Sequence, residues 1–173
     1  LMEKPDAYTW SKAPRLAGAV LETGAIARQL IAGQALLRDA VARCSATVYT
    51  RLLARLLELA QVVPLMESWL IALRPGEPYY RAAALPDKGR AVGLTEAARG
   101  ALGHWLEVEH GKISRYQIIA PTTWNFSPRD AQGQPGALEQ ALQGAPVLPG
   151  EKSPVAVQHI VRSFDPCMVC TVH

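Results

Sequence analysis

The chemistry in this chain is concentrated in its last nine residues, Asp165-Pro166-Cys167-Met168-Val169-Cys170-Thr171-Val172-His173. Cysteines three apart can turn both sulfurs toward one metal, and a thiolate pair selects soft or borderline ions such as zinc, nickel, iron and copper. His173 follows Cys170 at the same interval. The spacing is not the C-x-x-C-H of covalent haem attachment, because Thr171 and Val172 separate Cys170 from His173. A thioredoxin-like dithiol normally opens a helix after a strand, whereas this pair stands where the sequence stops. Cys44 is the remaining cysteine, so no second C-x-x-C pair completes a zinc site. Metal ligation, a redox dithiol and unrelated cysteines all stay open on spacing alone. If the pair does bind a metal it forms a half-site, with further ligands outside this sequence.

Other polar candidates are weaker. His104 and His110 flank a β-prone run and need not face each other, so surface or satisfied core histidines are the simpler reading. Arg99 lies in a run of small residues, 95–105, that lets the backbone approach something closely; by itself it is a flexible turn. The hydroxyls of Thr122 and Thr123 in Pro121-Thr122-Thr123-Trp124-Asn125 can cap a turn as well as bind a ligand.

The elements that must position these residues follow from composition and periodicity. The chain has 173 residues, 49% of them hydrophobic and 19% charged, with 18 Lys and Arg against 15 Asp and Glu. That describes a packed protein and excludes disordered or collagen-like chains. A net charge of +3, scattered along the sequence, gives no basis for nucleic-acid binding. The odd number of cysteines argues against a disulfide framework. Glu3, Lys4 and Asp6 occupy the place of an apolar signal core, so no secretory signal is expected over residues 1–10. The stretch 52–73 is the most apolar, but Arg55, Glu58, Gln61, Pro64 and Glu67 interrupt it, which predicts a buried helix and no transmembrane segment.

Over residues 14–73 apolar side chains recur at helical spacing. A first helix is predicted to end near Gly33, and a second to cover 36–63, ended or kinked by Pro64. Leu52, Leu53, Leu56, Leu57 and Leu59 make a stripe that suits bundle packing or a partner helix. Cys44 reads as a small core residue. Residues 74–136 form a loop and hairpin region: a loop-rich connection over 74–90, then β-prone runs at 105–109 and 113–119 around His110-Gly111-Lys112. Residues 121–136 read as irregular. Over 153–173, Ser153 is the predicted N-cap and Pro154 the first position of a helix over 155–163, which stops at Asp165-Pro166 and leads into the tail. The predicted fold class is mainly α, a helical bundle with a small β-hairpin region and irregular loops.

Taken together, these segments resemble the C-terminal part of a nickel–iron hydrogenase large subunit. The tail matches that family's D-P-C-x-x-C-x-x-H ending. Residues 96–105 resemble its E-A-P-R-G-A-L-G-H-W segment. Gly111-Lys112-Ile113, Tyr116-Gln117, residues 121–125 and Ser127-Pro128-Arg129-Asp130 resemble the next block, and Tyr8-Thr9-Trp10-Ser11-Lys12-Ala13-Pro14-Arg15 fits upstream. The similarity spans 1–173 as the C-terminal portion of one large-subunit domain. An N-terminal portion carrying an R-x-C-G-x-C motif is then missing from the sequence.

The resemblance implies a function and a site. The expected activity is reversible heterolytic cleavage of H2 to protons and electrons, by an uptake enzyme or an H2 sensor, with this fragment inactive alone. Cys167 resembles the terminal nickel ligand and a proton acceptor, Cys170 the thiolate bridging nickel to iron, and His173 a ligand of a divalent ion, commonly magnesium. The iron carries carbon monoxide and cyanide in that family, and the resemblance assigns hydrogen bonds to them to Arg99 and Thr122, with Asp165 pairing Arg99. Because an arginine stays protonated, the role of Arg99 is expected to be electrostatic. The implied partner is a small subunit that holds the iron–sulfur clusters, for which this chain has too few cysteines; a maturation protease is a further possible partner.

Ala98 departs from the family pattern, which usually has proline before Arg99. Loss of the ring is expected to loosen the placement of Arg99. The run 159–164 and the tail look more like the cytoplasmic uptake and hydrogen-sensing branch, giving a cytoplasmic expectation, with attachment at the periplasmic face through the small subunit as the alternative. The competing class is a non-enzymatic helical binding module with a C-terminal structural zinc half-site.

Overall fold

The computed structural model describes residues 6–84 and 86–171. Three helices come first: α1 (Ala25–Ile31), α2 (Ala35–Cys44) and α3 (Val48–Ala72). The single helix predicted over 36–63 is two. Ser45 takes a positive φ of 57° just after Cys44, which ends α2. Thr47 then caps α3: its hydroxyl accepts the Thr50 N–H while the Thr50 hydroxyl accepts the Thr47 N–H. That reciprocal cap satisfies two donors that a helix start leaves open.

Pro64 does not end α3, which runs on for 25 residues to Ala72. A proline loses its own hydrogen bond and crowds the carbonyl four residues back, but the turns on either side keep their bonds and carry the helix through. Cys44 is the last residue of α2 and is exposed, which corrects its reading as a core residue.

Ala25, Ile26, Leu37 and Ala54 form the buried core of the helical part, with Leu30, Val41, Leu53 and Leu57 packed against it. The leucine stripe therefore divides. Leu53 and Leu57 face α1 and α2, while Leu52, Leu56 and Leu59 are exposed. The buried helix expected over 52–73 is buried only at its start: Leu65, Met66, Trp69, Leu70 and Ile71 are all exposed. The reason is length, since α1 and α2 have 7 and 10 residues and cover only the first half of α3. No helix among the described residues is long and apolar enough to cross a membrane.

The hairpin is a three-stranded antiparallel sheet in the order β1 (Lys88–Ala97), β2 (Gly100–Glu109), β3 (Lys112–Ile119). The positive φ of His110 and Gly111 makes the tight β2–β3 turn. Strand β1 escaped the sequence reading because Gly89, Ala91 and Gly93 are poor strand formers. It exists by pairing, in unbroken register from Lys88 opposite Glu109 to Ala97 opposite Gly100. The small-residue run around Arg99 is thus the end of one strand, a two-residue turn and the start of the next.

The segment read as irregular opens with a short helix, α4 (Pro121–Asn125), with Pro at its start, and α5 (Ala137–Leu142) follows. Helix α6 (Val155–Ser163) has the predicted bounds, but Ser153 is not its cap. Instead the Glu151 carboxylate accepts the N–H groups of Val155 and Leu148, at 2.7 and 3.0 Å. One helical turn, α7 (Met168–Thr171), carries the tail. The class is the one predicted, a mainly helical bundle with a small sheet. Helix α3 packs against α1, α2 and α6, and β2 meets α1 and α4. The Ala98–Arg99 turn, the start of α1 and the end of α6 therefore converge.

Candidate metal half-site

Four segments bring the candidate residues together, and each is held by its backbone. Helix α6 ends at Ser163 with Phe164 as its C-cap, and Asp165 follows with a φ of 52°, a left-handed conformation that aspartate tolerates better than most residues. The chain thereby reverses, and the Asp165 carboxylate lies 3.5 Å from Nε of Arg99. Both side chains are nearly half exposed, so this is a loose ion pair.

Cys167 comes next. Its N–H donates to the hydroxyl of Thr122 at 3.2 Å, and its carbonyl accepts the Cys170 N–H at 3.0 Å. Thr122 is buried on α4. The Cys170 thiol hydrogen-bonds the Cys167 sulfur; this contact holds Cys167 below the usual thiol range and raises Cys170, with Arg99 drawing both down by its charge. Of the two, Cys167 is the thiol that ionises first.

Helix α4 is tied to the segment before α1. Asn125 accepts the Thr23 N–H on Oδ1 at 2.9 Å and donates from Nδ2 to the Thr23 carbonyl at 3.0 Å. Thr23 and Gly24 in turn lie against the Arg99 turn, so closely that a Cβ on Gly100 would sit 2.4 Å from Oγ1 of Thr23. Behind Arg99 is a cleft of about 10 Å³, room for roughly one water, lined among others by Glu22, Arg51, Arg55, Arg99, Phe164 and Asp165.

Arg51 and Arg55 are neighbours of the site that the sequence reading missed. Arg51 is buried, makes a two-point pair with Glu22 at 2.7 and 2.9 Å, and stacks 3.8 Å over the Phe164 ring. Arg55 donates to the Ser163 carbonyl; burial pushes its guanidinium down, and the charge of Asp165 opposes this. The available signal was their spacing: two arginines four apart in an apolar helix share one face.

Arg28 is the other omission. Its guanidinium donates to both carboxylate oxygens of Glu58 at 2.7 Å, to Glu96 at 2.9 Å, and to the carbonyls of Ala97 and Ala98 at 3.0 Å. Its charge is reinforced, the Glu58 hydrogen bond being the largest cause.

The remaining candidates lie elsewhere. Nδ1 of His104 is 2.5 Å from the Tyr116 hydroxyl across β2 and β3, and His110 is in the β2–β3 turn; neither lines the cleft. His173 lies outside the described residues. Among the described residues no three His, Cys, Asp or Glu side chains group to hold a metal. The donor chemistry nevertheless fits a soft metal: two adjacent thiols, one easily ionised beside a cation, make half of a four-coordinate shell.

A family model described as nickel-dependent hydrogenase matches residues 1–173. The chain is 38% identical over 188 residues to the periplasmic [NiFeSe] hydrogenase large subunit of Desulfomicrobium baculatum, covering 99% of this chain and 36% of that one. It is 35% identical over 195 residues to the hydrogenase-1 large chain of Escherichia coli K12, covering 99% and 32%. Among solved structures, the as-isolated oxidised Ni-Fe-Se hydrogenase of Desulfovibrio vulgaris Hildenborough superposes with a TM-score of 0.89 at 35% identity, over 99% of this chain and 39% of that one. The chain thus spans about a third of the length of these relatives.

These relatives correct the branch and the compartment. The likeness to a cytoplasmic uptake or sensing type is overturned, because a periplasmic [NiFeSe] large subunit and several solved [NiFeSe] hydrogenases align with nearly the whole chain. The physical reason is that residues 159–163 belong to α6, which packs on α3 and α5. Ile160, Val161 and Ser163 are at least partly buried there and answer to packing, so the run carries no address.

Proposed function

The chain belongs to the nickel-dependent hydrogenase family, and on that premise we propose that it is the C-terminal portion of a catalytic large subunit that cleaves H2 into protons and electrons. The observation that carries this reading is the placement of the Cys167 and Cys170 thiols together beside the Arg99–Asp165 pair. Cys167 and Cys170 would hold one side of a nickel–iron centre, with two further thiolates from a preceding portion of the protein. The iron's carbon monoxide and cyanide, and a magnesium or other divalent ion at His173, complete the proposed cofactors. When bound, the centre supplies the Lewis acidity that polarises the very weak acid H2.

The chain's own residues then have distinct tasks. Thr122 anchors the Cys167 backbone, which sets where that sulfur lies. The same hydroxyl keeps its hydrogen free to donate, as a cyanide in a dry pocket requires. Arg99 supplies a fixed positive charge that favours the thiolate form of both cysteines and stabilises anionic ligands. Cys167, the more readily ionised thiol, is the residue suited to accept a proton. Asp165 balances and orients Arg99. Electrons leave through a small subunit with iron–sulfur clusters, and the periplasmic name of one relative favours that compartment.

One observation favours a second reading for this chain taken alone. With two thiols and no third ligand among the described residues, the chain by itself answers more closely to a non-enzymatic helical module carrying half of a structural zinc site. Metal analysis of the complete protein separates the two. Nickel and iron together, with infrared bands of diatomic iron ligands, support the hydrogenase; zinc alone overturns it. An upstream reading frame without R-x-C-G-x-C would also overturn it, whereas H2 turnover by the 173 residues alone would overturn the half-site, in which further ligands come from elsewhere.

A further inference from the structure

We infer that Arg28 is a positioning residue for Arg99: from α1 it grips the last two carbonyls before Arg99 and so sets where that guanidinium is presented. The inference rests on the reading above, in which Arg99 serves a metal site. An arginine has five N–H donors, and Arg28 uses each of them. Two go to Glu58 on α3. The other three go to the end of β1 and the turn after it: one to the Glu96 carboxylate, one to the Ala97 carbonyl and one to the Ala98 carbonyl. A residue that merely tied α1 to α3 would need only the first two.

Arg99 needs such a support because little holds its tip. Its pair with Asp165 is 3.5 Å long and 44% of its side chain is exposed, so its placement depends on its backbone. That backbone is a two-residue turn, and Ala98 has no ring to lock φ. The start of α1 holds the turn from both sides. Gly24, at the N-cap, touches the Arg99 carbonyl closely enough that a Cβ there would lie 3.2 Å from the oxygen, and Gly100 rests on Thr23 and Gly24. Arg28, one helical turn on, has its N–H bonded to the Gly24 carbonyl at 3.0 Å. One turn of helix thus grips residues 97–100 by close contact at one end and by a guanidinium fork at the other. Lysine cannot reproduce the fork, since its ammonium is a compact point charge with three donors.

The test compares Arg28→Lys with Glu58→Gln in the complete large subunit with its small subunit. Both should lower the thermal midpoint, because both break the α1–α3 pair. Only Arg28→Lys should raise amide hydrogen exchange over residues 97–101, by about tenfold. It should lower kcat by roughly ten- to a hundredfold with KM kept, and add nothing to Arg99→Lys in the double variant. Equal exchange in the two variants, or losses that multiply with Arg99→Lys, would overturn the inference. If Arg28→Lys does not fold, Glu96→Gln decides: it weakens the sheet-side grip from an exposed position, and exchange at 97–101 equal to the parent counts against Arg28. A parent protein without nickel or H2 turnover would sink the hydrogenase reading, and the exchange comparison would still decide the part played by Arg28.

Discussion

The hydroxyl of buried Thr122 accepts the backbone N–H of Cys167 at 3.2 Å, joining α4 to the cysteine-bearing tail across 45 positions of sequence. Removing that acceptor leaves the Cys167 N–H without this partner, at a cost of about 1–3 kcal/mol. Thr122→Val should therefore lower the thermal midpoint and the nickel content of the complete protein, while Thr122→Ser keeps both. Equal nickel in Thr122→Val and the parent would count against an anchoring role.

Gly100 has a φ of 131°, and a Cβ there would lie 2.4 Å from Oγ1 of Thr23 and 2.6 Å from the Gly24 nitrogen. Backbone strain and overpacking act together, so Gly100→Ala is expected to destabilise by at least about 2 kcal/mol. Gly111 is the control. Its φ is 66° with open space around it, a conformation asparagine adopts, so Gly111→Asn should shift the denaturation midpoint little.

Arg51 is 5% exposed and its carboxylate partner Glu22 is 18% exposed. Breaking a buried pair on one side leaves a charge without compensation, which typically costs about 3–5 kcal/mol. Arg51→Met should approach that loss. Adding Glu22→Gln should recover part of it, since no unpaired carboxylate remains; chemical denaturation of the two variants would show a non-additive pair.

Asp130 gives a pH prediction. The backbone N–H of Gln134 holds its carboxyl below the usual carboxylate range, helped by Arg15 at 2.9 Å and by the Gln132 N–H. A depressed carboxylate binds fewer protons in the folded state. Its stabilisation is thus complete above the unfolded-state pKa, and it fades as pH falls through the folded value. Asp130→Asn should lower the thermal midpoint near neutral pH and leave a flatter decline toward acid. An acid limb as steep as the parent's would contradict it.

The sequence by itself determined what is local or a matter of residue type. The limits of α6 follow from Pro154 at its start and Asp165-Pro166 at its end, and the His110-Gly111 turn follows from glycine between β-prone runs. The nearness of Cys167 and Cys170 follows from their spacing, which leaves metal ligation, a redox dithiol and unrelated cysteines open; the family motifs, not the spacing, select the metal reading. Those motifs carried the family, though not the branch or the compartment.

What only the tertiary structure decided depends on partners far away in the chain. Strand β1 is written in glycine and alanine and becomes a strand only because β2 pairs with it. Arg28, Arg51 and Arg55 look like ordinary helix-surface arginines in the sequence. Their meaning comes from Glu58, Glu22, Ser163 and the carbonyls of Ala97 and Ala98, which reach them only when the helices pack against the sheet. A buried guanidinium is defined by the acceptors around it, and no local pattern supplies those.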